Sequence, residues 1–197
     1  SNKFGGDIVF YNHLLKFMHN KIMLDLGCGT GYYLGHLKKG SIGIDASAAN
    51  VSAKIDDLDI RLCDLNKDWV PDEPFDGIFA SHVIEHLLSP VTFLQQCSEA
   101  LESGQLFILG VPTELSVDRF IHGYGFNEDV RHFYAFSYDN IKYLLERSGF
   151  KINYKYISYT GMGRIRSSAF ERFLQAVIPF RLGLLFSKGM YLVCTKN

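Results

Sequence analysis

The sequence predicts an α/β fold, a mostly parallel sheet with helices on both faces. Three observations predict it. Short apolar runs alternate with segments of helical periodicity, the pattern of βαβ units. The first run ends in a turn with glycine at every second position, "MLDLGCGTG" (23–31). The chain also closes on two strand-like segments that flank a longer connection, which suits an antiparallel edge.

"KIMLDL" (21–26) is short and apolar enough for a buried strand. "TGYYLGHLK" (30–38) reads as a helix with Thr30 in its first turn. "SIGID" (41–45) is the next strand, and "SAANVSAKI" (47–55) opens a helix at Ser47, whose hydroxyl can accept an N–H of the first turn. "DIRLCDL" (59–65) and "FDGIFAS" (75–81) are the third and fourth strands. "HVIEHLLSPVTFLQQCSEALE" (82–102) reads as helical, broken near Pro90, with Ser89 capping its second part. "QLFILGV" (105–111) is the fifth strand, followed by an irregular stretch over 112–136. "SYDNIKYLLERSG" (137–149) starts at a Ser cap and stops at Gly149. "FKINYKYISY" alternates with period two, and "GMYLVCTK" (189–196) is the seventh strand.

Composition sets wide bounds. A chain of 197 residues, 47% hydrophobic and 21% charged, suits one globular domain over 1–197. No apolar run approaches the ~18–20 residues of a membrane span, and the first residues lack a signal-peptide pattern. Cys28, Cys63, Cys97 and Cys194 are scattered, with no CxxC pair, and read as reduced thiols. The expected compartment is the cytoplasm. Charge is uneven: ten Lys/Arg against two acids over 141–197, ten against nineteen over 1–140. Such a basic end suits an acidic substrate, a membrane surface or RNA, or is a solvated face balanced by the rest of the fold.

In a doubly wound sheet, ligands bind outside the carboxyl ends of the strands, where strand order reverses. Gly27, Gly29 and Gly31 follow the first strand and let a ligand approach bare backbone. Asp45 ends the second strand, where a carboxylate can accept from both hydroxyls of a ribose. Dinucleotide sites use GxGxxG to hold a pyrophosphate at a helix N-terminus. Here the spacing is GxGxG, with Tyr32 in the sixth position.

"DLGCGTG" (25–31) resembles the first motif of the class I S-adenosylmethionine-dependent methyltransferases. "GIDAS" (43–47), "LCDLN" (62–66) and "PFDGIFASHVIEHL" (74–87) are similar to its later motifs, in order, and "RHFYAFSYDNIKYLLERSGF" (131–150) resembles the ubiquinone-biosynthesis-like branch. "EALESGQLFILGVPTE" (99–114) departs from the usual Lys-Pro-Gly-Gly turn. The resemblance implies a Rossmann-like sheet of seven strands, S-adenosylmethionine as cofactor and S-adenosylhomocysteine as product. It implies cofactor contacts from Asp25, Gly27, Cys28, Gly29 and Gly31, with Asp25 near the cofactor's ammonium. Asp45 and Ala46 would meet the ribose, Asp64 and Leu65 the adenine, and Ser81 the methionine end. Acceptor selection would fall to the helical N-terminal segment 1–20 as a lid, the loop 112–136, and the insertion 160–188.

The sulfonium makes the methyl electrophilic, so the protein must orient a nucleophile and exclude water. For a hydroxyl acceptor, a general base adds typically ~10²–10⁴-fold, and histidine suits neutral pH. The candidates are His132, ahead of Phe136, and His82 and His86, which share a helix face with Glu85 if 82–86 is helical. His122 and Tyr124 lie in the same aromatic loop as His132. Some relatives place a Glu-x-x-Glu-His metal site here; His82 replaces the first Glu, and no metal is assigned. The expectation is a small-molecule acceptor methylated at oxygen, with no nucleic acid and no transmembrane segment. The alternatives are a non-catalytic cofactor-binding or interaction module and, third, a nicotinamide oxidoreductase. Arg164, Arg166 and Arg172 with the apolar run 169–178 suit an anionic or lipid-like acceptor, or an insertion packed on the sheet.

Overall fold

A computed structural model of the chain describes residues 8–55, 57–67, 69–113, 132–158, 173–174, 176–187 and 189–197. The strands are β1 (Met23–Leu26), β2 (Ile42–Asp45), β3 (Asp59–Leu62), β4 (Gly77–Ser81), β5 (Leu106–Pro112), β6 (Phe150–Ser158) and β7 (Gly189–Lys196). The helices among the described residues are α1 (Ile8–Met18), α2 (Ala48–Ser52), α3 (Pro90–Ala100), α4 (Tyr138–Arg147) and α5 (Phe180–Leu184). One sheet runs in the order β3-β2-β1-β4-β5-β7-β6. Strands β1 to β5 pair in parallel, and β7 lies antiparallel between β5 and β6. The expected seven-stranded sheet with an antiparallel last strand is the observed one.

Every residue of β1, β2 and β5 is buried, because both faces of these strands are covered. On one face Ile78, Phe107 and Leu192 pack with Phe93, Leu94 and Cys97 of α3 and with Ile141 and Leu145 of α4. On the other, Leu14 and Met18 of α1 pack with Met23, Phe79, Ile108 and Tyr191. Three serines start helices as their sequence positions predict. Ser47, Ser89 and Ser137 accept the N–H groups of Asn50, Thr92 and Asn140 at 3.2–3.3 Å. Among the described residues no helix is long and apolar enough to cross a membrane.

Three expected helices are shorter than predicted, the one over 47–55 forming only Ala48–Ser52. Over 30–38 only a 3₁₀ turn forms, Leu34–His36. Gly31 there holds φ +91°, and its missing Cβ makes room for Leu58, whose Cδ1 would lie 2.6 Å from it. Leu34 instead joins Cys28 and Ile60 in a small apolar cluster that pins the turn against the sheet. Over 82–89 the chain makes one 3₁₀ turn, Ile84–His86, before α3. His82 takes a left-handed φ of +56° and donates its N–H to Gly110 O at 3.0 Å, so it continues the sheet edge instead of starting a helix.

Candidate functional site

The strand order reverses at β1, whose neighbours β2 and β4 lead away to opposite edges. The glycine loop leaves β1 at that point. Gly27 N–H and Cys28 N–H both donate to Ile44 O, at 2.8 and 3.1 Å, drawing the loop over the end of β2. Gly27, Gly29 and Gly31 all have φ between +58° and +91°, a region costly to residues with a Cβ. Their surroundings differ. A Cβ on Gly27 would lie 2.7 Å from Val83, whereas one on Gly29 would meet no protein atom within 4 Å. Gly29 is therefore the open side of the loop. The Cys28 side chain turns inward, toward Gly43 and Leu34, and leaves its backbone to the ligand side.

Asp45 closes the loop. Its Oδ2 accepts from Gly29 N–H at 2.8 Å, and its Oδ1 accepts from Ser47 N–H at 2.9 Å and Asn50 Nδ2 at 3.1 Å. A carboxylate has about four accepting positions, so three are used within the protein and one is left for a ligand hydroxyl. Asp25 is 2% exposed, and its Oδ2 is buried without a hydrogen-bond partner. Burial, and then the negative charge of Asp45, push the Asp25 carboxyl well above the usual carboxylate range. The same two effects raise the Cys28 thiol, burial first and the Asp25 and Asp45 charges after it. A loop with an unpartnered carboxylate beneath it is chemically suited to a cation.

Beyond β3, Asp64 Oδ1 accepts from Asn66 N–H at 3.0 Å and Asn66 Nδ2 at 2.9 Å, and these bonds lower its carboxyl. Ala46 is exposed beside Asp45, while the Leu65 side chain belongs to the core, leaving its backbone for any ligand. At the end of β4, Ser81 Oγ and Tyr191 Oη share a hydrogen bond of 3.0 Å. A Cβ on Gly110 would overlap the Tyr191 ring, so glycine at that position is what admits the tyrosine. No local signal marks Tyr191, which reaches the site only through the antiparallel pairing of β7 with β5.

The histidines gather around a residue outside the expected catalytic set. Glu85 is fully buried, and neither carboxylate oxygen has a hydrogen-bond partner. His82 Nδ1 lies 3.5 Å and His86 Nε2 4.0 Å from Glu85 Oε1. Glu85 O accepts from Phe133 N–H at 2.8 Å and Tyr134 N–H at 3.3 Å, which brings the segment after the acceptor loop onto the turn. His132 thereby sets its ring edge-on to His86, centroids 4.7 Å apart. Ligand atoms of Glu85, His86 and His132 all lie within 4.8 Å of one another, close enough for one divalent ion. His82, His86 and His132 are thus brought together, around a carboxylate instead of along a helix face. His122, Tyr124 and Arg164 to Arg172 lie outside the described residues, as do 1–7 of the expected lid.

A family model described as a methyltransferase domain matches residues 10–155. The mitochondrial ubiquinone biosynthesis O-methyltransferase of Bos taurus is 37% identical over 112 residues, which cover 48% of this chain and 30% of that protein. The tRNA U34 carboxymethyltransferase of Colwellia psychrerythraea is 32% identical over 103 residues, 47% of this chain and 32% of that protein. The match therefore spans about a third of the length of these two relatives. Among solved structures, a SAM-dependent methyltransferase from Archaeoglobus fulgidus superposes with a TM-score of 0.69 over 95% of this chain and 93% of that one, at 19% identity. That likeness is one of fold.

Proposed function

We propose, for a chain that belongs to the methyltransferase-domain family and has the class I S-adenosylmethionine-dependent fold, that it transfers a methyl group to a small-molecule acceptor at oxygen. The cofactor of the family is S-adenosylmethionine, which when bound supplies an electrophilic methyl group on a sulfonium. The residues present fit it. The observation that carries the reading is the loop 27–31: three left-handed glycines closed by Asp45, open to a ligand at Gly29, over an unpartnered Asp25.

In this reading the backbone of Gly27, Cys28, Gly29 and Gly31 lies against the cofactor, and Asp25 faces its ammonium. Asp45 and Ala46 meet the ribose, Asp64 and the Leu65 backbone the adenine, and Ser81 the methionine end. His132, His86 and His82 are the candidates to take the proton of an acceptor hydroxyl. Glu85 positions the imidazoles and offsets the positive charge that proton brings. Exposed Phe133 and Leu88, next in sequence to His132 and Leu87, favour an apolar acceptor over a polyanion.

A second reading of the same cluster is favoured by one observation. A buried carboxylate with no hydrogen bond is costly unless a cation meets it. A divalent ion held by Glu85, His86 and His132 supplies that cation and would orient a hydroxyl.

The test begins with calorimetric titration of S-adenosylhomocysteine, with NAD as control. Binding of the first alone, weakened at least ~30-fold in Asp45→Ala by the loss of about 2 kcal/mol of loop hydrogen bonding, supports the cofactor reading. Turnover on phenols, catechols and bulk tRNA, each with and without chelator, follows. Methylation of tRNA alone overturns the small-molecule acceptor, and binding without turnover on any acceptor points to a non-catalytic module. Loss of activity on chelation, restored by Mg²⁺ or Zn²⁺, selects the metal reading.

A further inference from the structure

The C-terminal segment presents large apolar side chains to solvent. Phe173, Val177, Leu182, Leu185 and Phe186 are 39–57% exposed. Leu182, Leu185 and Phe186 follow i, i+3, i+4 spacing and project from one side of α5 and the turn after it, while Gly183 is buried and Leu184 packs on the core. Phe173 and Val177 stand four residues apart in the turn before. Single exposed apolar residues are ordinary on any protein; a cluster this dense marks an interaction surface.

A groove of about 660 Å³ adjoins the segment, between α4 and β6, and Ile178 and Phe180 form part of its wall. Its rim is basic. Among the described side chains that line it, Lys142, Lys151 and Lys155 stand against Glu146, which is 3.7 Å from Lys142. Lys155 Nζ lies 4.8 Å from the Phe180 ring centroid and 5.1 Å from that of Tyr138, so one aromatic of the segment is already seated on the basic rim. Arg181 forks onto Asp139 and is neutralised there. In the sequence, Arg172 and Lys188 flank residues 173–187, a stretch that contains Arg181 and no acid.

We infer that this face docks on an anionic lipid bilayer. Phe173, Val177, Leu182, Leu185 and Phe186 enter the boundary between headgroups and acyl chains, and the lysines around the groove meet headgroup phosphates. Charge complementarity selects this occupant: apolar side chains beside a net positive rim fit a surface that is both apolar in depth and negative at its edge. Thr113 Oγ1 donates to Ser187 O at 2.6 Å, so the docking segment is tied to the carboxyl end of β5. The sheet edge that carries the candidate site is thereby held near the membrane. The inference concerns binding alone and stands whether or not the chain transfers methyl groups.

The test is co-sedimentation of the full chain with vesicles of phosphatidylcholine alone or mixed equally with phosphatidylglycerol, at low and high salt. The expected result is at least ~10-fold stronger partitioning onto the anionic vesicles, weakened by salt. Leu182→Ser/Phe186→Ser and Lys151→Glu/Lys155→Glu should each lower it about 10-fold while keeping the parent's circular dichroism and melting temperature. Equal partitioning onto both vesicle types, or anionic binding that both double variants retain, overturns the inference. So does pelleting without vesicles or a dimer mass by light scattering, which would assign the face to a second copy of the chain.

Discussion

The two halves of the sheet's carboxyl edge are built in opposite ways. At the glycine loop the protein ties its own rim, with Asp45 receiving three donors and the backbone of 27–28 bonded to Ile44, and leaves only Asp25 Oδ2 beneath it unpaired. At the histidine turn the central carboxylate, Glu85, is buried with no hydrogen bond, and His82 is held at φ +56°. The first region is a rigid cradle whose shape precedes its ligand. The second carries unspent electrostatic demand and backbone strain, which are features of sites that act on what they bind.

The strongest way to break the cradle is Gly31→Val. A β-branched residue at φ +91° with its Cβ 2.6 Å from Leu58 adds strain and overpacking. The expected cost is about 3 kcal/mol, read by denaturant unfolding together with loss of S-adenosylhomocysteine binding. If that variant binds normally, the loop is not the cradle described. Glu85→Gln probes the other half. It should lower turnover about 10²-fold while leaving S-adenosylhomocysteine affinity within a factor of about two. A parallel fall in affinity would mean the two halves are one site.

Asp25, beneath the glycine loop, makes the cradle sensitive to pH. Its folded-state carboxyl titrates well above its ordinary value of 3.8, so the native state holds this proton more tightly than the unfolded chain does. The group's favourable contribution is complete below that ordinary value and is lost as pH rises toward the folded one. Asp25→Asn should therefore be more stable than the parent at neutral pH, with a flatter stability curve across the mildly acidic range. At a pH where the parent holds Asp25 protonated, ligand binding that places an ammonium over it should release a proton, detected as a binding heat that depends on the buffer's ionisation enthalpy; the variant should show no such dependence. The smallest effect sharpens the scaffold rather than the site. Ser137→Ala removes the cap of α4 and should cost about 1 kcal/mol without changing affinity.

The cradle was legible because its chemistry is local. Gly27, Gly29, Gly31 and Asp45 lie within nineteen residues, and the strands on either side announce themselves as apolar runs. The serine caps were legible for the same reason. The helix expected over 30–38 was not formed, because periodicity cannot see that Leu34 packs better against Cys28 and Ile60 than along a helix. The histidine cluster was legible in membership but not in geometry. His82 and His86 were expected on a helix face, yet they meet around Glu85 because β4 is followed by a left-handed residue, His82, bonded to β5.

By itself the sequence determined the order of the strands, the glycine turn, the acid that ends β2 and the acid that follows β3, since each depends on residues a few positions apart. Only the tertiary structure decided that Asp25 and Glu85 are buried without hydrogen-bond partners, that Tyr191 reaches Ser81, and that Phe186 and its neighbours remain in solvent. Those outcomes rest on which distant segments exclude water from a side chain, and burial is a property of the packed chain.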